Sequence, residues 1–254
     1  MTLLHSLILG LVEGITEFLP ISSTAHLIIV QKMLGIAQSD FAKTFAIAIQ
    51  SGAILAVVVL YWRRLWQWRM IRNLVIAFIP TGVLGFIFYD IGRDILGNIS
   101  VILWALGLGG VVLIIFEWLV GDKGKNADIE NIGVGKLIGI GLFQSVSMIP
   151  GVSRAAATII GGRLFGISRV AIVEFSFLLA VPTMAAATSW DLLQNYQQFS
   201  MAQFSTLGVG FVVSFIAAIA SIRWLLNYIR SHSLANFGVY RVLLVGAIIL
   251  FGLL

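Results

Sequence analysis

Six apolar stretches, at about 45–62, 74–90, 99–120, 170–187, 207–224 and 239–254, are each long enough to cross a hydrocarbon layer as a helix. A soluble fold could not cover so much apolar surface. Of the 254 residues, 59% are hydrophobic and 11% charged, against roughly a quarter charged in an ordinary soluble domain. The chain therefore reads as one integral membrane domain. Lacking cysteine, it has no disulfide framework and no thiolate nucleophile or ligand, so any chemistry must rest on oxygen and nitrogen groups. Its +5 balance does not point to nucleic acid, because the basic residues sit beside apolar runs rather than along a continuous face. Lys32 is the first basic side chain, and Glu13 and Glu17 lie inside the first apolar run. That pattern is wrong for a cleavable signal peptide, so the segment is expected to be retained.

Charge sets the orientation. The loop 63–73 carries four arginines and no acid, and the stretch Arg223–Arg241 carries three arginines and no acid. Both belong on the cytoplasmic side by the bias of basic residues toward that face. Adding Lys123, Lys125, Lys136, Arg163 and Arg169 puts twelve of the sixteen basic residues there, with Lys32, Lys43 and Arg93 opposite and Arg154 unassigned. With six spans, this assignment leaves 1–37 and 137–167 too short to cross as single helices. A helix over 3–18 would reach about 24 Å before Pro20 interrupts it, and the arms 135–149 and 155–166 are broken at Pro150-Gly151. Each segment is expected to be a re-entrant hairpin, with non-helical backbone sheltered by protein or lining a wet cavity. The expected fold is thus an all-α polytopic membrane protein of six transmembrane helices and two re-entrant hairpins in an inverted-topology repeat. Residues 1–120 form the first repeat, 121–136 a cytoplasmic linker and 137–254 the second repeat, with both termini outside and the two tips meeting.

The tips carry the chemistry-bearing residues. Glu13 and Glu17 are four apart, so on a helix their carboxylates share a face and can hold one divalent cation, Mg²⁺ or Ca²⁺, through hard oxygen ligands. The bland alternative is a helix end with its acids in water. After Pro20 come Ser22, Ser23, Thr24 and His26. Ser22 or Thr24 could simply cap the following helix or contact substrate, whereas the three-residue spacing of Ser23 and His26 suggests either a nucleophile with its proton acceptor or a histidine that protonates a leaving oxygen. Opposite them, Gly151 lets the backbone turn close to an anion and Arg154 offers a bidentate phosphate contact, if it does not snorkel to lipid headgroups. Two acids, one guanidinium and a serine fit phosphoryl transfer, with a metal bridging carboxylates and phosphate. His5 and His232 read as interfacial and Glu117 and Glu174 as close to cytoplasmic water. Lys43 is a further anion-contact candidate, and Gln50 an interhelical hydrogen-bonding group.

At these residues the sequence resembles the bacterial undecaprenyl-diphosphate phosphatase family, also called the bacitracin-resistance protein family. The matching stretches are EGITEFLPISSTAHL (13–27), AKTFAIAIQSGAILAVV (42–58), PGVSRAAATI (150–159), EFSFLLAVP (174–182) and FGVYR (237–241). The resemblance implies a hydrolase of the bacterial inner membrane that converts undecaprenyl diphosphate to the monophosphate carrier for peptidoglycan synthesis and confers bacitracin resistance. It carries the family's acidic motif onto Glu13 and Glu17, its essential serine onto Ser23, its histidine onto His26 and its arginine onto Arg154. Gly151, Ser153 and Thr158 match the surrounding motif as phosphate-side residues. Ala25, Ala46 and Ala155-Ala156 depart from the family pattern, so any contribution of a serine at 155 or an acid at 46 is absent.

The expected partners are a polyprenyl diphosphate lipid and the membrane, with no nucleic acid and with a homodimer left open. The cavity is expected to open toward the outer face. A secondary transporter or flippase for a polyprenyl phosphate lipid is the main rival, since inverted repeats with broken helices are shared with transporters. An intramembrane serine hydrolase is a more distant one.

Overall fold

The computed structural model of the chain describes residues 1–37, 39–89, 91, 98–121, 129–195 and 204–252, and these fold as helices without strands. Arg93, Lys123, Lys125 and the side chains of Lys43 and Thr44 lie outside the described residues. Small polar residues start several of the helices by accepting from open N–H groups. Thr2 does so for α1 (Leu3–Thr16), Ser39 for α3 (Asp40–Leu60) and Asn98 for α6 (Ile99–Val120). Between them run α2 (Ser23–Met33), the single turn α4 (Trp62–Leu65) and α5 (Trp68–Ile87). The second half comprises α7 (Val134–Ser145), α8 (Arg154–Leu164), α9 (Arg169–Asn195), α10 (Phe204–Tyr228) and α11 (Ala235–Phe251).

Among the described residues, four helices are long and apolar enough to cross a membrane: α5, α6, Arg169–Trp190 of α9 and Ser205–Tyr228 of α10. Shorter apolar helices are α1, Phe45–Leu60 of α3, Val134–Met148 and α11. The distribution of side chains is inverted relative to a soluble protein. Trp118, Leu250, Phe86 and Trp104 are exposed, while Glu13, Gln144, Arg241, Ser176 and Thr158 are wholly or almost wholly buried. Lipid rather than water is the solvent that such an exterior suits.

Both short segments break where proline and glycine stand. Helix α1 stops at Thr16, two residues earlier than expected, and α2 begins at Ser23; α7 passes through a tight turn at Val146–Met148 before α8 begins at Arg154. At each restart the residue before the helix is a serine with positive φ, Ser22 at 70° and Ser153 at 76°. The arms then pack crosswise between the halves: α1 lies on α10, and α7 lies on α5. Absent side chains permit the close approach. A Cβ at Gly10 would stand 2.6 Å from Gly210 O, and one at Gly110 would stand 2.8 Å from Gly238 O where α6 crosses α11. A central apolar core gathers Phe18, Leu19 and Ile21 of the first break with Ala155 and Ile159 of α8 and Phe175, Phe177 and Leu178 of α9. That core holds the two breaks side by side.

Two sequence expectations change here. Glu117 is buried rather than near water: its Oε2 accepts from Arg169 Nη2 at 2.8 Å, from Ser233 Oγ at 2.8 Å and from Leu234 N at 3.3 Å. Arg241, counted among the cytoplasmic loop charges, sits inside α11 with no exposed surface. It does not end a loop, because the helix has already run from Ala235.

Candidate active site

Glu17 stands at the end of α1 and still has helical backbone angles, with its N–H donating to Glu13 O at 2.9 Å. The four-residue spacing therefore keeps both acids on one side of the helix end. Ser23 is the first residue of α2, so its side chain faces back across the break. Its Oγ donates to Glu17 Oε2 at 2.5 Å, a short contact of the kind a hydroxyl makes with a carboxylate. From the other half, Arg154 at the start of α8 places Nη2 3.1 Å from Glu17 Oε1 and Nη1 2.9 Å from Ser176 O. One carboxylate thus joins a hydroxyl from the first break to a guanidinium from the second.

Ser23 and His26 are not paired as the spacing suggested. The Nδ1 of His26 lies 2.8 Å from Ser22 O and its Nε2 2.8 Å from Tyr240 Oη, with the two rings stacked at 5.6 Å. A carbonyl can only accept, so Nδ1 carries a proton, and in the neutral ring Nε2 accepts from the tyrosine. Both residues lie in α2, but a shared helical face does not by itself bring two side chains into contact. Ser23, at the helix's first position, finds its partner across the turn instead.

The remaining candidates divide by environment. Ser22 is buried without a side-chain cap bond, and Thr24 is half-buried on the first turn of α2. Ser153 does cap its helix, accepting from Ala156 N at 3.2 Å. Gly151 adopts φ +100°, and a Cβ there would meet Ala105 Cβ at 3.0 Å, so both conformation and space demand glycine. Thr158 is wholly buried and reaches Arg154 O at 2.9 Å and Gln144 Oε1 at 3.1 Å. Gln144 in turn donates through Nε2 to Thr81 at 3.0 Å and Thr183 at 3.1 Å. This amide network behind Arg154 was legible only as an amide ahead of a proline. Ser176, Tyr240 and Arg241 also belong to the surroundings of the site, although nothing in their spacing singled them out.

Several polar atoms here have no partner among the described residues. Both carboxylate oxygens of Glu13, Arg154 Nε and Ser176 Oγ are buried without a hydrogen bond. Glu13 lies directly against the Glu17 carboxyl and within electrostatic reach of Arg154. Orphaned hard oxygens of this kind fit a divalent cation. Among the described residues no cluster of three acidic, histidine or cysteine side chains accompanies them. An ion at this position would therefore draw its other ligands from phosphate and water, as Mg²⁺ commonly does.

Comparison with known proteins places this geometry in context. A family model described as bacitracin resistance protein BacA matches residues 6–248. An undecaprenyl-diphosphatase of Sulfurihydrogenibium sp. is 47% identical over 247 residues, covering 96% of this chain and 97% of the relative. Its counterpart from Wolinella succinogenes is 48% identical over 253 residues, covering 99% and 98%. One from Aquifex aeolicus is 47% identical over 246 residues, covering 96% of each chain.

Proposed function

This chain belongs to the bacitracin resistance protein BacA family, and from that premise we propose how its broken helices hydrolyse undecaprenyl diphosphate. The protein is a membrane-embedded hydrolase that releases inorganic phosphate and returns the monophosphate lipid carrier for cell-wall synthesis, the activity that underlies bacitracin resistance. One observation carries the residue assignment: Glu17 accepts from Ser23 at 2.5 Å and from Arg154 at 3.1 Å. A hydroxyl and a guanidinium from opposite halves of the chain meet at a single carboxylate, which is the base of this reading.

In the reading we favour, Arg154 turns its unpartnered Nε toward the terminal phosphate while Nη1 stays anchored on Ser176 O. Glu17 takes the Ser23 proton. The Ser23 oxygen then bonds to the terminal phosphorus as the bridging P–O bond breaks and the lipid monophosphate leaves; water afterwards frees phosphate from the serine. Alternatively, Ser23 orients a water that attacks directly, with Glu17 accepting its proton. Glu13, assisted by Glu17, would hold the divalent cation. When bound, such an ion neutralises charge on the phosphate oxygens and on the leaving group. His26 supports the first break through Ser22 O. Ser22, Thr24, Gly151, Ser153 and Thr158 shape the phosphate side.

The topology we favour keeps six spans and two re-entrant hairpins, with the chemistry opening to the outer face of the bacterial inner membrane and both termini outside. Crosswise packing of α1 on α10 and of α7 on α5 supports an inverted repeat, as does one constant spacing that relates Gly10 to Gly141, Glu13 to Gln144 and Ser22 to Ser153. A lipid tail would lie between spans, and a homodimer is compatible with this arrangement.

The deciding experiment is phosphate release from a polyprenyl diphosphate by purified protein in detergent, where no gradient exists to drive a transporter. Wild type is expected to turn over with Mg²⁺ or Ca²⁺ and to stop with chelator. Arg154→Ala is expected to lose at least about 10²-fold, the scale of a charge-stabilising group removed from a transition state. Lipid binding without phosphate release in any metal would overturn the reading.

A further inference from the structure

Arg241 is a buried cation that the proposed chemistry leaves unused. Every one of its five N–H groups faces a main-chain carbonyl. Nε donates to Leu106 at 2.9 Å and Nη2 to Ala105 at 3.1 Å, both on α6. The same Nη2 reaches Gly151 at 3.0 Å, while Nη1 spans Val152 at 3.2 Å and Pro20 at 3.4 Å. Among the described residues it has no carboxylate partner. A guanidinium is costly to bury without a counterion, and the cost is met here only by a complete set of acceptors in its planar fork.

The acceptors say what the fork is for. Pro20 lies in the first break, three residues before Ser23; Gly151 and Val152 lie in the second, just before Arg154. A single rigid group therefore touches the backbone of both tips and ties them to α6. The neighbouring Tyr240 holds His26, so consecutive residues of α11 grip the first tip at two points. We infer that Arg241 is a positioning residue that sets the separation of the two tips, and with it the distance at which Ser23, Glu17 and Arg154 engage one phosphate. This rests on the hydrolase reading above for its kinetic consequence, but not for its structural one. Lysine could not substitute, since its three donors radiate from one point and cannot span three backbone segments.

Two variants test the inference. Arg241→Lys keeps the charge and loses the fork. Gly109→Ala leaves Arg241 in place, but its new methyl would stand 2.9 Å from Arg241 Cζ and press the guanidinium off its acceptors. Per folded molecule, kcat is expected to fall about 100-fold in Arg241→Lys and about 10-fold in Gly109→Ala, with KM within about threefold, because misplacement by an ångström acts on the transition state. Amide hydrogen exchange should accelerate in peptides covering 17–26 and 149–156, while peptides from α3 and α10 keep wild-type rates. If kcat stays within about twofold of wild type in Gly109→Ala, or if exchange rises evenly through all helices, the positioning role is wrong. Should Arg241→Lys fail to fold, Gly109→Ala alone decides. An inactive wild type would sink the hydrolase reading, whereas the exchange pattern would still decide whether the fork sets the tips.

Discussion

At the scale of single residues, Glu17 is where two proposed duties meet. Its Oε2 is positioned to take the Ser23 proton and its Oε1 is paired with Arg154. Glu17→Gln keeps the shape and removes both charge and base. Its kcat is expected to drop about 10²- to 10⁴-fold, the usual range for a general base, as read by phosphate release from folded protein. If Ser23 is the nucleophile, rapid quench with ³²P-labelled diphosphate should trap phosphate on Ser23 in wild type and none in Ser23→Ala; oxygen from labelled water reaching phosphate with no such adduct selects the water route. The sequence made Glu13, Glu17, Ser23 and Arg154 conspicuous because ionisable and hydroxyl groups are expensive in an apolar run. It could not reveal which of them touch, since the decisive contacts run across breaks and between halves. The Ser23–His26 pairing failed for that reason. Arg241 escaped for another: a cation at the margin of an apolar stretch looks like a loop charge until the helix is seen to begin at Ala235.

The helices themselves were largely legible, because apolar length marks lipid contact directly. Their ends were not. Helix α9 extends to Asn195, well past the apolar stretch, since hydrogen bonding continues where hydropathy stops. Nor could the sequence say which glycines matter, because a glycine at a crossing and one on an open face look alike. Gly10 and Gly135 separate the two cases. The first lies against Gly210, whereas a Cβ at Gly135 on α7 would meet nothing within 4 Å. Gly10→Ala is expected to lower thermal stability in detergent by about 1–3 kcal/mol through overpacking. Gly135→Ala should be neutral or stabilising by up to about 1 kcal/mol, the helix-propensity gain of alanine. Equal melting temperatures for the two would mean that α1 does not rest on α10 as closely as described.

Across the whole molecule, the orientation proposed above rests on the distribution of charge, and its test needs no structure. Lys32, at the end of α2, and Gln67, just before α5, are both exposed, and the proposed inverted arrangement would put them on opposite faces of the membrane. The exposed tryptophans Trp62, Trp66 and Trp68 flank Gln67 among Arg63, Arg64 and Arg69, a composition that suits the cytoplasmic end the proposal assigns to it. Because the chain contains no cysteine, Lys32→Cys and Gln67→Cys each create a single thiol. A membrane-impermeant maleimide applied to spheroplasts should label position 32 in intact cells and position 67 only after lysis. Labelling of both positions before lysis would put the two ends of α3 on one side and remove the six-span arrangement. Labelling of position 67 alone would reverse the molecule and turn the site toward the cytoplasm. Neither result would alter the contact between Glu17 and Arg154, so this measurement isolates the direction of access from the chemistry.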